Sequence, residues 1–422
     1  MDKFVVEGEA RLRGTVECAG SKNAALPMMV AALLAPGANR LTRVPRLRDI
    51  ATLSKLMESL GAKITRDEDA LLLDTTHLDS VEAPYDLVKT MRASVYVLGP
   101  LLARAGRARV SLPGGCAWGP RPVNLHLKGM EALGASIVID EGYIVAEAPD
   151  GLRGADILLD IASVGATGNI MMAAVGARGI TRIQNAAREP EMPALADLLN
   201  AMGARVTGAG TPEIVIEGGR PLRPAEGTAI PDRIEAGTFL VGGALTAGDV
   251  TVTGCEPAHL TALGAKLRET GAEVTRGEDW MRVVGPARPR AAQVTTDFFP
   301  GFPTDLQAQM MALAAVSDGT SVITEQIYAD RFTHVAELSR LGAKITLDQN
   351  VAVVEGQPAL SGAHVMATDL RASAALILAG LVAHGETHIS RVYHIDRGYE
   401  RIEAKLAALG ATVRREDEPL VT

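Results

Sequence analysis

A chain of 422 residues exceeds the size at which one hydrophobic core keeps growing, so two domains of roughly 200 residues each are expected. Apolar residues at 47% with charged residues at 22% describe a packed globular protein and exclude disorder. Aromatic residues at 3% and a net charge of −8 exclude a stacking platform for single strands and a general phosphate-backbone binder, so no nucleic-acid partner is expected.

The chain starts MDKFVVEGEARLRG, which alternates like a strand pair and lacks a basic segment followed by a hydrophobic signal core. The longest apolar runs, residues 24–35 and 372–383, fall well short of the ~20 residues of a membrane span, so no membrane insertion is expected. Three cysteines, Cys18, Cys116 and Cys255, form neither an even disulfide framework nor a CxxC pair, and a reducing cytoplasm fits.

Beyond the first strands the chain repeats itself. Six segments, MESLGAKIT, MEALGASIV, LNAMGARVT, LRETGAEVT, LSRLGAKIT and LAALGATVR, end a helix-period stretch with glycine and pass into β-type residues, about 70 residues apart. Before each glycine the apolar residues fall at helical intervals, as in Ile50, Leu53, Met57 and Leu60, and the glycine supplies a left-handed stop. A hairpin should follow each stop. Each period also holds a second helix that is apolar on nearly all sides, such as SVGATGNIMMAAVGARG, and such helices must lie buried. The unit is β-α-β-α-β-β, and six units around buried helices define an α/β fold in two three-unit domains. The boundary is expected in the proline-containing stretch 218–231, giving residues 20–229 as the first domain and residues 1–19 with 230–422 as the second. The N-terminal strand pair, left over before the first unit, is expected to complete the sheet of the last one.

The inner helices begin with polar residues: Lys22 and Asn23, Arg92 and Ser94, Ser163 to Thr167, Asp232 and Arg233, Thr304 and Asp305, Asp369 and Arg371. Converging helix N-termini favour an anionic ligand, whereas each start taken alone reads as ordinary capping. The segment SLPGGCAWGPRPVNLHLKG puts Cys116 and Trp118 on a loop that its glycines and prolines keep irregular. Arg121 nearby favours the thiolate, so Cys116 is read as accessible and as a nucleophile or an acid, while Cys18 and Cys255 are read as structural. His126 either positions a ligand or faces solvent. The eight histidines show no metal-ligand spacing, and neither GxxxxGK[ST] nor a GxGxxG after a strand occurs, so no metal or nucleotide cofactor is expected. Lys22, Arg121 and Arg397, scattered in sequence, are candidates to meet in a cleft and neutralise an anion.

The motifs GSKNAALP at 20–27, MRAS at 91–94, LPGGCAWGPRPVNLHL at 112–127, NAAREPE at 185–191, IPDRIEAGTF at 230–239, FPTDLQAQ at 302–309 and DRGYERI at 396–402 follow one another in order. By them the whole chain resembles the UDP-N-acetylglucosamine enolpyruvyl transferase (1-carboxyvinyltransferase) family of the enolpyruvyl transferase superfamily. The resemblance implies a two-domain inside-out α/β barrel of six βαβαββ units with the active site between the domains. It also implies the reaction of phosphoenolpyruvate with UDP-N-acetylglucosamine to the 3-O-enolpyruvyl ether and phosphate, the first committed step of peptidoglycan synthesis, without cofactor or obligate protein partner. Residue by residue, it implies that Cys116 protonates the methylene carbon and forms a covalent adduct, and that Asp305 receives the proton of the sugar 3-hydroxyl. Lys22, Arg121 and Arg397 correspond to the cations on phosphate and carboxylate. Asn23, Arg92, Pro122, Val123, Asn124, Leu125, Ser163, Val164 and Ile327 correspond to positions lining the nucleotide-sugar site, and Asp369 and Arg371 to a polar pair near the domain junction.

Three positions depart from the family pattern: Asn124 stands for the usual Asp, Gly168 for the usual Glu, and Trp118 is bulkier than the common aliphatic residue. Two alternatives stand beside this reading: a transferase like 5-enolpyruvylshikimate-3-phosphate synthase, which shares the fold, and a non-catalytic paralogue that binds the nucleotide sugar.

Overall fold

The computed structural model describes residues 2–68, 70–113 and 123–417. By backbone contacts the chain divides into two compact units, one of Gly20–Ile230 and one of Met1–Ala19 with Pro231–Thr422. Each holds its own hydrophobic core.

The repeat is best seen in the third period. Strand Asp156–Leu158 leads through the inner helix Val164–Ala174 to the parallel strand Gly179–Gln184; the outer helix Glu191–Ala201 and the strands Arg205–Thr207 and Glu213–Gly218 follow. In the sheet the last strand lies between the second and third, antiparallel to both. Six four-stranded sheets among the described residues share this arrangement, three in each unit.

Sequence explains the two kinds of helix. Every residue of Arg233–Leu245 after the first is buried, and Ala372–Val382 is buried from Ala372 to Leu381, as helices without a polar face require. The outer helices bury one stripe, Ile50, Leu53, Leu56 and Met57 in Arg48–Ser59. The six repeat glycines, Gly61, Gly134, Gly203, Gly271, Gly342 and Gly410, have φ between 92° and 110°, a region costly for any side chain, so each outer helix stops where the next strand must begin.

One expectation is corrected. The N-terminal strands do not act as a pair. Asp2–Glu7 takes the fourth-strand place in the last sheet, between Glu386–Ser390 and Val413–Asp417, whereas Arg13–Glu17 joins another sheet as the parallel neighbour of Asp249–Thr253. The segment between them packs closely against another part of the chain: a Cβ on Gly8 would lie 1.8 Å from the carbonyl oxygen of Ala383, so only glycine fits there. Within the proline-containing stretch 218–231, Glu226–Thr228 pairs in parallel with Ala38–Thr42 and supplies the missing first strand of the first sheet.

No helix among the described residues is long and apolar enough to cross a membrane. Cys18 and Cys255 are buried, and burial pushes the Cys255 thiol up to about 11, which keeps it protonated and unreactive.

Candidate active site

In the unit Gly20–Ile230 the polar starts of the inner helices are built by local rules. Ser21 caps Lys22–Ala31 by accepting the N–H of Ala24, and Ser163 caps Val164–Ala174 by accepting that of Ala166. Lys22 is 5% exposed, and its Nζ lies 3.0 Å from Oδ2 of Asp49 on the outer helix Arg48–Ser59. A cation so deep needs a counter-charge, and an incoming anion would share the ammonium with Asp49. The sequence carried no sign of Asp49 as this partner, since nothing periodic links positions 22 and 49. Asn23 follows in the first turn, half-buried.

Arg92 opens the 3-10 turn Arg92–Val97, which leads into the helix Leu98–Ala105. Val123, Asn124 and Leu125 stand at the start of Asn124–Ala132, with Asn124 exposed. His126, one residue on, is 4% exposed, so the alternative that it faces solvent is overturned. Asn169 fixes its state. The Oδ1 of Asn169 accepts the N–H of Gly99 at 2.8 Å, so its Nδ2 donates, to the carbonyl of Val95 at 2.9 Å and to Nδ1 of His126 at 3.0 Å. The imidazole proton therefore sits on Nε2. That nitrogen reaches the start of an inner helix, where a Cβ on Gly165 would lie 3.2 Å from it. Burial, with the charge of Arg92, pushes His126 down to about 3. Arg92, His126, Ser163 and Val164 are thus neighbours, while Cys116, Arg121 and Pro122 lie outside the described residues.

The other unit gathers the remaining candidates more tightly. Thr304 and Asp305 form a 3-10 turn before the inner helix Gln307–Val316. Nη1 of Arg331 donates to Oδ1 of Asp305 at 2.6 Å, and Nη2 lies 3.6 Å from Oδ2 of Asp369. Sequence reasoning did not single out Arg331, which stands in a stretch without periodicity just before the outer helix Val335–Arg340. The two carboxyl groups on this one guanidinium are driven apart. Burial alone would raise Asp305, but the charges of Arg331 and Arg371 outweigh it and hold the group well below the usual carboxylate range; its side chain is 27% exposed. Burial dominates at Asp369, whose side chain is 1% exposed, and pushes it up. One carboxylate is kept ionised and open while its neighbour is shielded, the separation that acid–base chemistry uses.

Arg371 does not pair with Asp369 through its guanidinium; only its backbone N–H reaches Oδ1 of Asp369, at 2.6 Å. Its Nη2 donates to Oδ2 of Asp232 and its Nη1 to the carbonyl of Gly398, each at 2.8 Å. Asp232 uses its other oxygen to cap the inner helix Arg233–Leu245 through the N–H groups of Ile234 and Glu235. The Gly398 carbonyl belongs to the residue after Arg397, which ends the 3-10 turn Val392–Arg397, so Arg371 anchors the Arg397 segment to a helix cap. Ile327 is half-buried in the segment leading to Arg331.

His334, fully buried three residues beyond Arg331, is pushed down to about 3 by burial and by the charge of Arg331. For a group of this kind the unfolded chain takes up a proton near pH 6.5 and the native one only near 3. Stability contributed by neutral His126 and His334 is therefore present above about pH 6.5 and lost as the pH falls toward 3. Urea midpoints should fall steadily between pH 7 and 4, and His334→Phe should flatten that fall.

Comparison with known proteins places the chain. The family model described as EPSP synthase (3-phosphoshikimate 1-carboxyvinyltransferase) matches residues 6–406. The UDP-N-acetylglucosamine 1-carboxyvinyltransferase of Trichlorobacter lovleyi is 57% identical over 99% of this chain and 100% of its own length, and that of Anaeromyxobacter sp. is 58% identical over 98% and 99%. Among solved structures, the enolpyruvyl transferase NikO from Streptomyces tendae superposes with a TM-score of 0.88 at 27% identity, covering 99% of both chains. The chain belongs to the enolpyruvyl (1-carboxyvinyl) transferase family, and its fold is the two-domain inside-out α/β fold of that family.

Proposed function

We propose that this enzyme transfers the enolpyruvyl group of phosphoenolpyruvate to the 3-hydroxyl of UDP-N-acetylglucosamine with release of phosphate, in the cytoplasm, as the first committed step of peptidoglycan synthesis, on which cell shape and division depend. The observation that carries the reading is the ionised, partly open Asp305 on Arg331, in a chain more than half identical over nearly its whole length to relatives bearing that substrate's name.

Asp305 takes the proton of the 3-hydroxyl as the sugar oxygen attacks C2 of phosphoenolpyruvate, and Cys116 delivers a proton to C3. The resulting tetrahedral adduct loses a C3 proton as the C2–O bond to phosphate breaks, so the enol ether forms and phosphate leaves with the electron pair. Lys22, Arg121 and Arg397 hold the phosphate and carboxylate and neutralise charge in the tetrahedral state. Asn23, Arg92, Pro122, Val123, Asn124, Leu125, Ser163, Val164 and Ile327 bind the nucleotide sugar. Asp369 and Arg371 support the Asp305 cluster and the Arg397 turn. In this reading Cys116 is also the residue that would carry a covalent phospholactoyl adduct and be alkylated by epoxide phosphonates such as fosfomycin. Replacing Cys116 by Asp should keep turnover, since a carboxyl group can serve as the acid, and abolish fosfomycin inactivation; mass spectrometry placing the adduct on Cys18 or Cys255 would overturn the assignment.

The shikimate branch is the second reading, because the matching family model bears its name. Phosphate release on mixing phosphoenolpyruvate with UDP-N-acetylglucosamine decides between them. Release only with shikimate 3-phosphate sinks the proposal, and release with neither acceptor points to a binding paralogue.

A further inference from the structure

We propose that Glu325 is a positioning residue for this reaction: its carboxylate clamps the Thr304–Asp305 turn to the segment carrying Ile327 and Arg331, and thereby sets the contact between Arg331 and Asp305. The inference rests on Asp305 being the base.

Glu325 follows the strand Thr320–Thr324 and is 0% exposed. Its backbone is pinned to the neighbouring hairpin, the N–H on the carbonyl of Asn350 at 2.8 Å and the carbonyl on Nδ2 of Asn350 at 3.0 Å. Oε1 accepts three hydrogen bonds, from the N–H of Ile327 at 2.8 Å, the N–H of Tyr328 at 3.0 Å and the hydroxyl of Thr296 at 2.8 Å. Thr296 Oγ1 itself accepts the N–H of Gln326, so its proton is free to go to Glu325. Oε2 accepts the hydroxyl of Thr304 at 2.7 Å.

Among the described residues no side-chain cation touches this carboxylate; four neutral donors hold it. A buried anion held in this way is costly compared with an apolar residue, and stability alone does not require it. What it provides is direction. A carboxylate only accepts, so Thr304 must donate to Oε2, and the Thr304 oxygen is then left to accept Nη1 of Arg331 at 3.0 Å. The same Nη1 donates to Asp305. Glu325 thus orients Thr304, Thr304 holds Arg331, and Arg331 lies on Asp305.

Among the described residues, the charged groups acting on Asp305 are Arg331, Arg371 before the inner helix Ala372–Val382, Arg233 at the start of Arg233–Leu245 and the neighbouring carboxyl group of Asp369, while Glu325 acts on the shared Arg331. Of these, Arg331 alone is held by Thr304. Loosening it lets Asp305 rise toward its ordinary range.

The test compares kcat at neutral pH for Glu325→Gln and Thr304→Val, each made in the parent enzyme and on an Asp305→Asn background. In the parent each should lower kcat by a factor on the order of 10–10², the cost of misplacing a reacting group, and Thr304→Ser should restore most of it. On the Asp305→Asn background neither should lower kcat further, because the group being positioned no longer takes a proton. A purely structural role would lower the melting temperature or scale the rate equally on both backgrounds. Equal losses on both backgrounds, or no loss in the parent, with turnover lost in Asp305→Asn, overturn the clamp alone. Turnover retained in Asp305→Asn overturns the base assignment and the clamp with it.

Discussion

Asp305→Asn should lower kcat by a factor on the order of 10²–10⁴, the range that a positioned general base contributes, while the protein stays folded. The amide keeps the size of the side chain and can still accept Nη1 of Arg331, now at 2.6 Å from Oδ1, so the turn at Thr304–Leu306 is preserved. It cannot take a proton at neutral pH. Binding of the nucleotide sugar should change far less than kcat, because the loss is confined to a proton in flight. Phosphate release measured at saturating concentrations of both substrates reads the effect, and a kcat within a few-fold of the parent enzyme would remove Asp305 from the chemistry.

Arg371→Ala should cost about 3–5 kcal/mol of stability, the penalty for removing one partner of a buried ion pair. Asp232 would keep a charge in an almost fully buried place, its Oδ2 no longer met at 2.8 Å, and the carbonyl of Gly398 would lose its donor. The pairing of Arg371→Met with Asp232→Asn should cost less than the sum of the two single changes, because no net charge is then left buried. Urea denaturation of the parent, Arg371→Met, Asp232→Asn and the double variant completes the cycle. Equal and additive losses would mean that the two side chains do not depend on each other.

What could be read in the sequence follows physical rules that act locally. A helix stop at Gly61 or Gly342 and the apolar run at 372–382 need only neighbours in the chain, so the α/β class and the two helix types were legible. Contacts that join distant stretches leave no such trace. Asp49 meets Lys22, Arg331 meets Asp305 and Asp369, and Asp232 meets Arg371 because the fold brings those places together. Residue type alone did not separate Arg331 from the other arginines. The same reason hid the parting of the first two strands: alternation marked both, but their partners, Glu386–Ser390 and Val413–Asp417 for the first and Asp249–Thr253 for the second, lie far along the chain. At Asp369 and Arg371, sequence indicated polarity at a helix start, and the structure adds that the guanidinium is committed to Asp232 and Gly398.

The way the strands are shared has a practical corollary for protein engineering. Gly20–Ile230 is an uninterrupted stretch that carries its own closing strand, Glu226–Thr228, whereas the remainder is interrupted once, at a place where the N–H of Asp232 already donates to the carbonyl of Ala19 at 2.9 Å. Excising the insert and splicing the flanking ends with a few residues would therefore leave both fragments with every sheet at full strand count.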